Sequence, residues 1–348
     1  MDAETAIVLV SPAEIRAVAE TALRRAGCDD ANARATAQVL ARAEEDGCAS
    51  HGLFRLPGFL AALRCGKARG DVAPAAARLA PGVVRIDGGR ALSPLATAIA
   101  REKIADMARE SGIAAAAITN VHHFSALWVD IEPLVESGLG ALCCTAYVPF
   151  VAPAGANRRF FGTNAMAFGF PTADGGFLFD QASAATARGE LQIAARDGRL
   201  APEGAGVGPD GAPTRDPAQI LLGAQSPFGG HKGSSIALMV ELLAGVLIGQ
   251  PTSPEAGREE AARGALENTG PPNGGVLMIA FDPDRFGDPE GWRAHGERFF
   301  AELRALPGVR LPGDRRRRER ERISREGVML PTELWRGLRF EAGLRETS

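Results

Sequence analysis

The sequence predicts an α/β protein whose central core sheet is flanked by a helical lobe built from both chain ends. Two observations carry this. Short apolar runs at Val83–Ile86, Ile113–Thr119, Leu139–Ala146, Met166–Phe170, Phe177–Phe179 and Val276–Phe281 read as strands. Helix-start signals and 3.6-residue periodicity dominate the segments before and after them. The predicted organisation is a helical N-terminal lobe over residues 1–75, an α/β core over 76–285, and C-terminal helices over 286–348 that pack back on the first lobe.

Ser11-Pro12-Ala13-Glu14 joins a capping hydroxyl, a first-turn proline and a glutamate three residues on, which predicts a helix that stops at Gly27. A second is predicted from about Asp29 to Asp46, ending at Gly47, and a third from Pro57 to about Cys65. Within the core, helices are expected at about Leu95–Ser111 and Ala126–Ser137, the latter carrying Pro133, and a long apolar helix follows Gly233. Residues 201–217, rich in Gly and Pro, are expected to form a surface loop. Residues 251–273, charged and without periodicity, read as a mobile segment. Helices at about Pro289–Ala305, Asp314–Arg325 and Pro331–Leu344 complete the chain.

A chain of 348 residues buries roughly three quarters of its unfolded surface, so a large core is available. Its 45% apolar and 23% charged residues are ordinary for a globular enzyme, and a net charge of −3 argues against generic nucleic-acid binding. The five cysteines form no CxxC pair and leave one over in any full disulfide scheme, which points to a reducing compartment. With neither a basic leader nor an apolar run of membrane-spanning length, the expected location is cytoplasmic.

Chemistry concentrates first at Ser50-His51-Gly52-Leu53-Phe54-Arg55. Histidine suits proton transfer near neutral pH, and arginine grips a carboxylate with two parallel hydrogen bonds. Taken alone, the stretch reads more readily as a surface histidine beside a structural arginine. No G-x-G-x-x-G follows a strand and no P-loop is present. Gly229-Gly230-His231-Lys232-Gly233 before a helix could hold phosphate through backbone N–H groups, the helix N-terminus and Lys232, or could be a structural loop. The run Arg315–Arg322 reads as a solvated helix with pairs such as Arg317–Glu321 and Glu321–Arg325, as a nucleic-acid patch, or as a phosphate grip at its start. Adjacent His122 and His123 lack a ligand set, so no metal is predicted.

Five motifs stand in order: Asn120–Trp128, Phe161-Gly162-Thr163-Asn164, Arg188-Gly189-Glu190, Pro227–Gly233 and Leu311–Arg316. Together with Ser50-His51 they resemble the malate/L-lactate dehydrogenase family of the non-Rossmann type, from about Pro12 to Leu344. Within it, the resemblance is strongest to the Δ1-piperideine-2-carboxylate/Δ1-pyrroline-2-carboxylate reductases. It implies a non-Rossmann NADPH-binding core whose cofactor site is closed by the C-terminal helices, and a homodimer. By this likeness Ser50, His51 and Glu190 form the catalytic relay, with His51 the proton donor, and Arg55 and Thr163 bind substrate. His123, Phe124, Ser125, Ala126, Leu127, Asp180, Gln181, Ala182, Lys232, Gly233, Gly313, Asp314, Arg315 and Arg316 would line NADPH. A carboxylate at Glu190 would favour the protonated imidazole.

The activity implied is NADPH-dependent reduction of cyclic ketimine carboxylates to L-pipecolate or L-proline. The alternative is a 2-hydroxy-acid dehydrogenase acting on malate, lactate, sulfolactate or ureidoglycolate. A non-catalytic nucleotide sensor or RNA binder is disfavoured by the intact Ser50, His51, Arg55 and Thr163 set. Oxaloacetate carries a second carboxylate that needs another cation, and the sequence shows none beside Arg55 near the catalytic motif.

Overall fold

The computed structural model describes residues 6–123, 126–173, 175–263 and 272–344. Helix α1 (Pro12–Arg25) starts at the predicted capping box: Glu14 N–H donates to Ser11 Oγ at 3.2 Å, and Ser11 N–H donates to Glu14 Oε2 at 3.1 Å. Helix α2 (Asp30–Glu45) starts where the Asp29 carboxylate accepts from Asn32 N–H at 2.8 Å. Their inner faces and α3 (Leu56–Arg64) bury Ile15, Leu23, Leu40, Leu56 and Leu60 in one cluster with Ile323, Val328, Leu330, Trp335 and Leu338. Strand β1 (Ile7–Val10) pairs antiparallel with β12 (Val328–Pro331), so both chain ends share this cluster. Neither strand shows polar alternation, because Ile7, Leu9 and Met329 lie exposed on the outer face.

The main sheet has seven strands: β2 (Ala75–Ala80), β3 (Val83–Leu92), β4 (Ile113–His122), β11 (Asn273–Phe281), β5 (Gly140–Thr145), β6 (Ala165–Phe170) and β7 (Phe177–Gln181), in that spatial order. Only β3 and β4, joined by α4 (Ser93–Ser111), run parallel; every other pairing is antiparallel. A doubly wound dinucleotide fold is mostly parallel, so the sheet agrees with the missing glycine fingerprint. Helices α4 and α5 (Leu127–Glu136) cover one face, burying Ile104, Ile131 and Leu134 in one cluster with Ala114, Ala116 and Ile118 of β4. On the other face, Val240 of α8 (His231–Glu241) and Ala244 of the following π-turn pack on Cys144 and Leu277. Strand β7 is left as an edge.

Two expectations fail here. Residues 201–217 are not a plain loop. Gly206–Val207 (β8) and Pro213–Thr214 (β9) pair, β8 also pairs with β10 (Ala224–Gln225), and α7 (Pro217–Leu222) intervenes; α6 (Arg188–Arg196) precedes them. The segment 251–273, read as mobile, contains α9 (Ser253–Ala262), nucleated by a Thr252/Glu255 capping box. Its apolar content is mostly alanine and glycine, which gives no periodic signal, while residues 264–271 lie outside the described residues. Lys67, wholly buried, pairs with Glu260 of α9 at 2.5 Å and fixes the helix to the N-terminal lobe. The C-terminal helices are α10 (Trp292–Ala305), α11 (Asp314–Glu326) and α12 (Thr332–Glu341).

Candidate active site

A 3₁₀ turn over Ala49–His51 follows α2 and carries Ser50 and His51. Ser50 Oγ lies 3.1 Å from His51 Nδ1, which leaves proton exchange with a ligand to Nε2. Arg55 Nε donates to the Ser50 carbonyl at 2.6 Å, tying the next turn back to the first. Gly189 in α6 closes over both. A Cβ there would stand 3.1 Å from Ser50 Cβ and 3.6 Å from Arg55 Nη2, so a side chain would press on the serine. The structure thus brings Ser50, His51 and Arg55 together with the Arg188-Gly189-Glu190 motif.

Electrostatics in this corner differ from the expectation. Glu190 is exposed, and among the described residues it makes no hydrogen bond to Ser50 or His51. Burial, Arg55 and then His123 hold the His51 imidazolium down to about 4, so the ring is neutral at pH 7 rather than a ready acid. Burial also draws Arg55 down to about 10, with Tyr147 opposing and Arg188 adding to the shift. Arg188, a second cation that sequence reading did not place here, stacks 3.5 Å over the Phe150 ring, and Phe150 lies 5.9 Å from Tyr147. The expectation that Arg55 stands alone is therefore corrected. In the sequence Arg188 stands only as the first residue of the Arg188-Gly189-Glu190 motif.

Thr163 precedes Asn164, a buried residue with φ of +39° held by four hydrogen bonds. Asn164 Nδ2 donates to Ala237 O at 3.0 Å and Glu241 Oε1 at 2.8 Å, and Glu241 Oε2 accepts from Ser253 N–H at 2.8 Å. That network locks α8 and α9 around the Thr163 turn. The Thr163 carbonyl accepts from Ser183 N–H at 2.7 Å, joining Thr163 to the end of β7.

The residues expected along the cofactor assemble around edge strand β7. Asp180 accepts from Trp128 N–H at 3.2 Å, beside Ala126 and Leu127; burial raises its carboxyl to about 6. Gln181 and Ala182 lead to Ser183, whose carbonyl accepts from Phe228 N–H at 2.9 Å. Gly233 sits so close that a Cβ would meet Phe228 O at 2.4 Å and Ser183 O at 2.9 Å; Lys232 beside it is exposed. At the other end Gly313 approaches Leu178, and Arg316 Nη2 donates to Leu178 O at 2.6 Å. The Asp314 carboxylate caps the loop by accepting from Leu311 N–H at 3.0 Å. Arg315 is exposed, with a long contact of 3.6 Å to Cys48 Sγ. Phe124 and Ser125 lie outside the described residues. His123 is buried against Asp130, 3.3 Å away, and among the described residues no group of three His, Cys, Asp or Glu could hold a metal.

Trp128 joins the two halves. Its ring meets His51 edge-on at 5.6 Å, lies under Arg316 at 5.1 Å, and donates from Nε1 to Asp46 at 2.7 Å. Asp46 also accepts from Arg320 at 2.8 Å, and Arg320 reaches Glu132 at 2.9 Å. The expected Arg317–Glu321 and Glu321–Arg325 side-chain pairs do not form. Arg317 pairs with Asp314, and Arg325 donates to the Glu321 carbonyl. Those arginines serve the scaffold.

The malate/L-lactate dehydrogenase family model matches residues 10–339. The Δ1-pyrroline-2-carboxylate reductase of Ancylobacter novellus is 46% identical over 331 residues, 94% of this chain and 96% of that protein. The Δ1-pyrroline-2-carboxylate/Δ1-piperideine-2-carboxylate reductase of Pseudomonas aeruginosa is 44% identical, covering 93% of this chain and 96% of its own. Among solved structures, Δ1-piperideine-2-carboxylate reductase from Pseudomonas syringae pathovar tomato matches with a TM-score of 0.91 at 38% identity, over 96% of this chain and 99% of that one.

Proposed function

The chain belongs to the malate/L-lactate dehydrogenase family, and from that premise we propose that it is an NADPH-dependent reductase of cyclic ketimine carboxylates. Its substrates would be Δ1-piperideine-2-carboxylate, reduced to L-pipecolate, and Δ1-pyrroline-2-carboxylate, reduced to L-proline. One observation carries the reading: a proton carrier and a carboxylate-binding fork, His51 and Arg55, share one corner in a chain similar throughout to reductases of these imines. Arg55 is assigned the carboxylate, and Thr163, on a turn tied to the end of β7 and to α8, is assigned a second contact to the substrate. In the free protein His51 is neutral. A carboxylate bound at Arg55 cancels part of the field that depresses the imidazolium, so substrate itself raises the basicity of His51. His51 then holds the proton shared with the imine nitrogen at Nε2, and Ser50 keeps the ring oriented through Nδ1. Glu190 is assigned the outer end of this relay, at the solvent.

NADPH, when bound, supplies the hydride to the imine carbon. The residues present fit it: Arg315 is an exposed guanidinium without a carboxylate partner among the described residues, suited to a 2′-phosphate, and Lys232 stands at a helix N-terminus suited to the diphosphate. Arg316, engaged with Leu178 O and Trp128, shapes the wall. A homodimer is supported by Leu238, Leu242 and Val246, exposed at helical spacing along α8 and its π-turn. A cytoplasmic location is supported by five cysteines, all free. The deciding test is a side-by-side panel of both ketimines, pyruvate and oxaloacetate with NADPH and NADH. A specificity constant highest for the ketimines with NADPH is expected; preference for an open-chain 2-oxo acid, or for NADH, would overturn the assignment.

A further inference from the structure

Arg188 is the first residue of α6, where the helix dipole disfavours a cation, and it is half-buried all the same. Its guanidinium lies flat on Phe150 at 3.5 Å. Stacking uses the face of the group and leaves the in-plane N–H donors unspent. Among the described residues those donors have neither a hydrogen-bond acceptor nor a carboxylate. The neighbouring Arg159, 5.5 Å from the same ring, shows the contrast: it donates to the carbonyls of Leu221 and Leu222 at 2.7 Å each, and to that of Gly223. Half-buried, stacked and facing no acceptor among the described residues, the Arg188 donors stay open to a ligand, and an anion is the group that a guanidinium fork holds best. Gly189, the next residue, lies where a Cβ would meet Ser50 and Arg55, and the charge of Arg188 is felt at Arg55, which sets Arg188 beside the substrate corner.

We propose that Arg188 is a second substrate-binding residue, sharing the ring-borne carboxylate of the substrate with Arg55 and setting the preference for anionic ligands. This rests on the ketimine-reductase reading above. Phe150 holds the guanidinium plane, so the fork is preorganised and little side-chain entropy is lost on binding. The buried Tyr147 hydroxyl, whose pKa is pushed up to about 12, stays neutral beside the two cations and does not compete for them as an anion.

The test uses the full-length protein and the variants Arg188→Gln and Arg188→Lys. Binding of pyrrole-2-carboxylate, a flat carboxylate that cannot be reduced, is measured in the presence of NADP⁺, with pyrrole-2-carboxamide and pyrrole-2,5-dicarboxylate as controls. In Arg188→Gln the Kd for the monocarboxylate and the KM for the ketimine should each rise at least tenfold, with kcat changed less than threefold. Carboxamide binding, NADPH affinity and Tm should stay near wild type. Arg188→Lys, which keeps the charge but not the fork, should recover only part of the loss. An unchanged Kd and KM in Arg188→Gln, or a loss confined to the dicarboxylate, would overturn the proposal. Absence of ketimine turnover in the wild type would instead strike the proposed function, since the binding measurement still reads Arg188.

Discussion

Two arginine-rich regions of this molecule put the same side chain to different uses. On α11, Arg317, Arg320 and Arg322 reach Asp314, Asp46, Glu132, Glu319 and Glu326, so their charge is spent inside the protein. At the corner beneath α6, Arg55 is tied to a backbone carbonyl, and Arg188 rests on an aromatic face with no carboxylate paired to it among the described residues. The first set holds two helices and the Trp128 indole in place. The second keeps positive charge at a half-buried corner, where an anion gains more than it would in open water. What an arginine is for is read from what already neutralises it.

Breaking the ligand side of that contrast should give the largest effect. His51→Ala, which removes the group whose charge burial and Arg55 govern, should lower turnover roughly 10²–10⁴-fold with NADPH affinity retained. A loss under about tenfold would make the histidine structural. Arg55→Ala should cost roughly 2–5 kcal/mol in kcat/KM, and Arg55→Lys should also be poor because an ammonium lacks the fork. Arg320→Ala should do the opposite. It strands the buried Asp46, so unfolding free energy should fall by roughly 3 kcal/mol, the low end for a broken buried pair because Arg320 is partly exposed. KM for the imine should barely move; if it moves more than Tm does, the division between the regions is wrong.

Smaller effects sharpen it further. Arg315→Ala should weaken NADPH about tenfold or less and leave NADH unchanged, while Arg316→Ala should weaken both, since that side chain braces Trp128 and Leu178. The subtlest is the pH response. His51 titrates in the fold at about 4, below its ordinary 6.5, so its neutral form contributes stability above pH 6.5 that is lost as pH falls through about 4. NMR of the ring should find that depressed value in the free protein and an upward move on adding pyrrole-2-carboxylate. A value that stays put would separate His51 from the anion site.

Much of this was legible in the sequence because several motifs are local. Ser50, His51 and Arg55 lie within one turn pair, and the Ser11 and Asp29 caps need only the next three residues. The core strands were found through apolar runs, while β1 and β12 were missed because both faces are apolar, and α9 because alanine carries no period. Roles that depend on distant approach left no local mark. Asp46 and Arg320 meet across the length of the chain, Trp128 becomes a junction only when α11 covers it, and Arg188 matters only once Gly189 brings it over Ser50. Glu190 shows the reverse: a motif position with the right chemistry whose carboxylate stands exposed in this structure.

The pairing of β1 with β12 also fixes the order in which the protein can be made. Ile15, Leu23 and Leu40 wait for Val328, Leu330, Trp335 and Leu338, which are synthesised long after them. Until then the helices that carry the proton donor have an open greasy side and cannot hold their final arrangement. A nascent or truncated chain therefore presents sticky helices and no working corner, and activity arrives in one step with the closing strand.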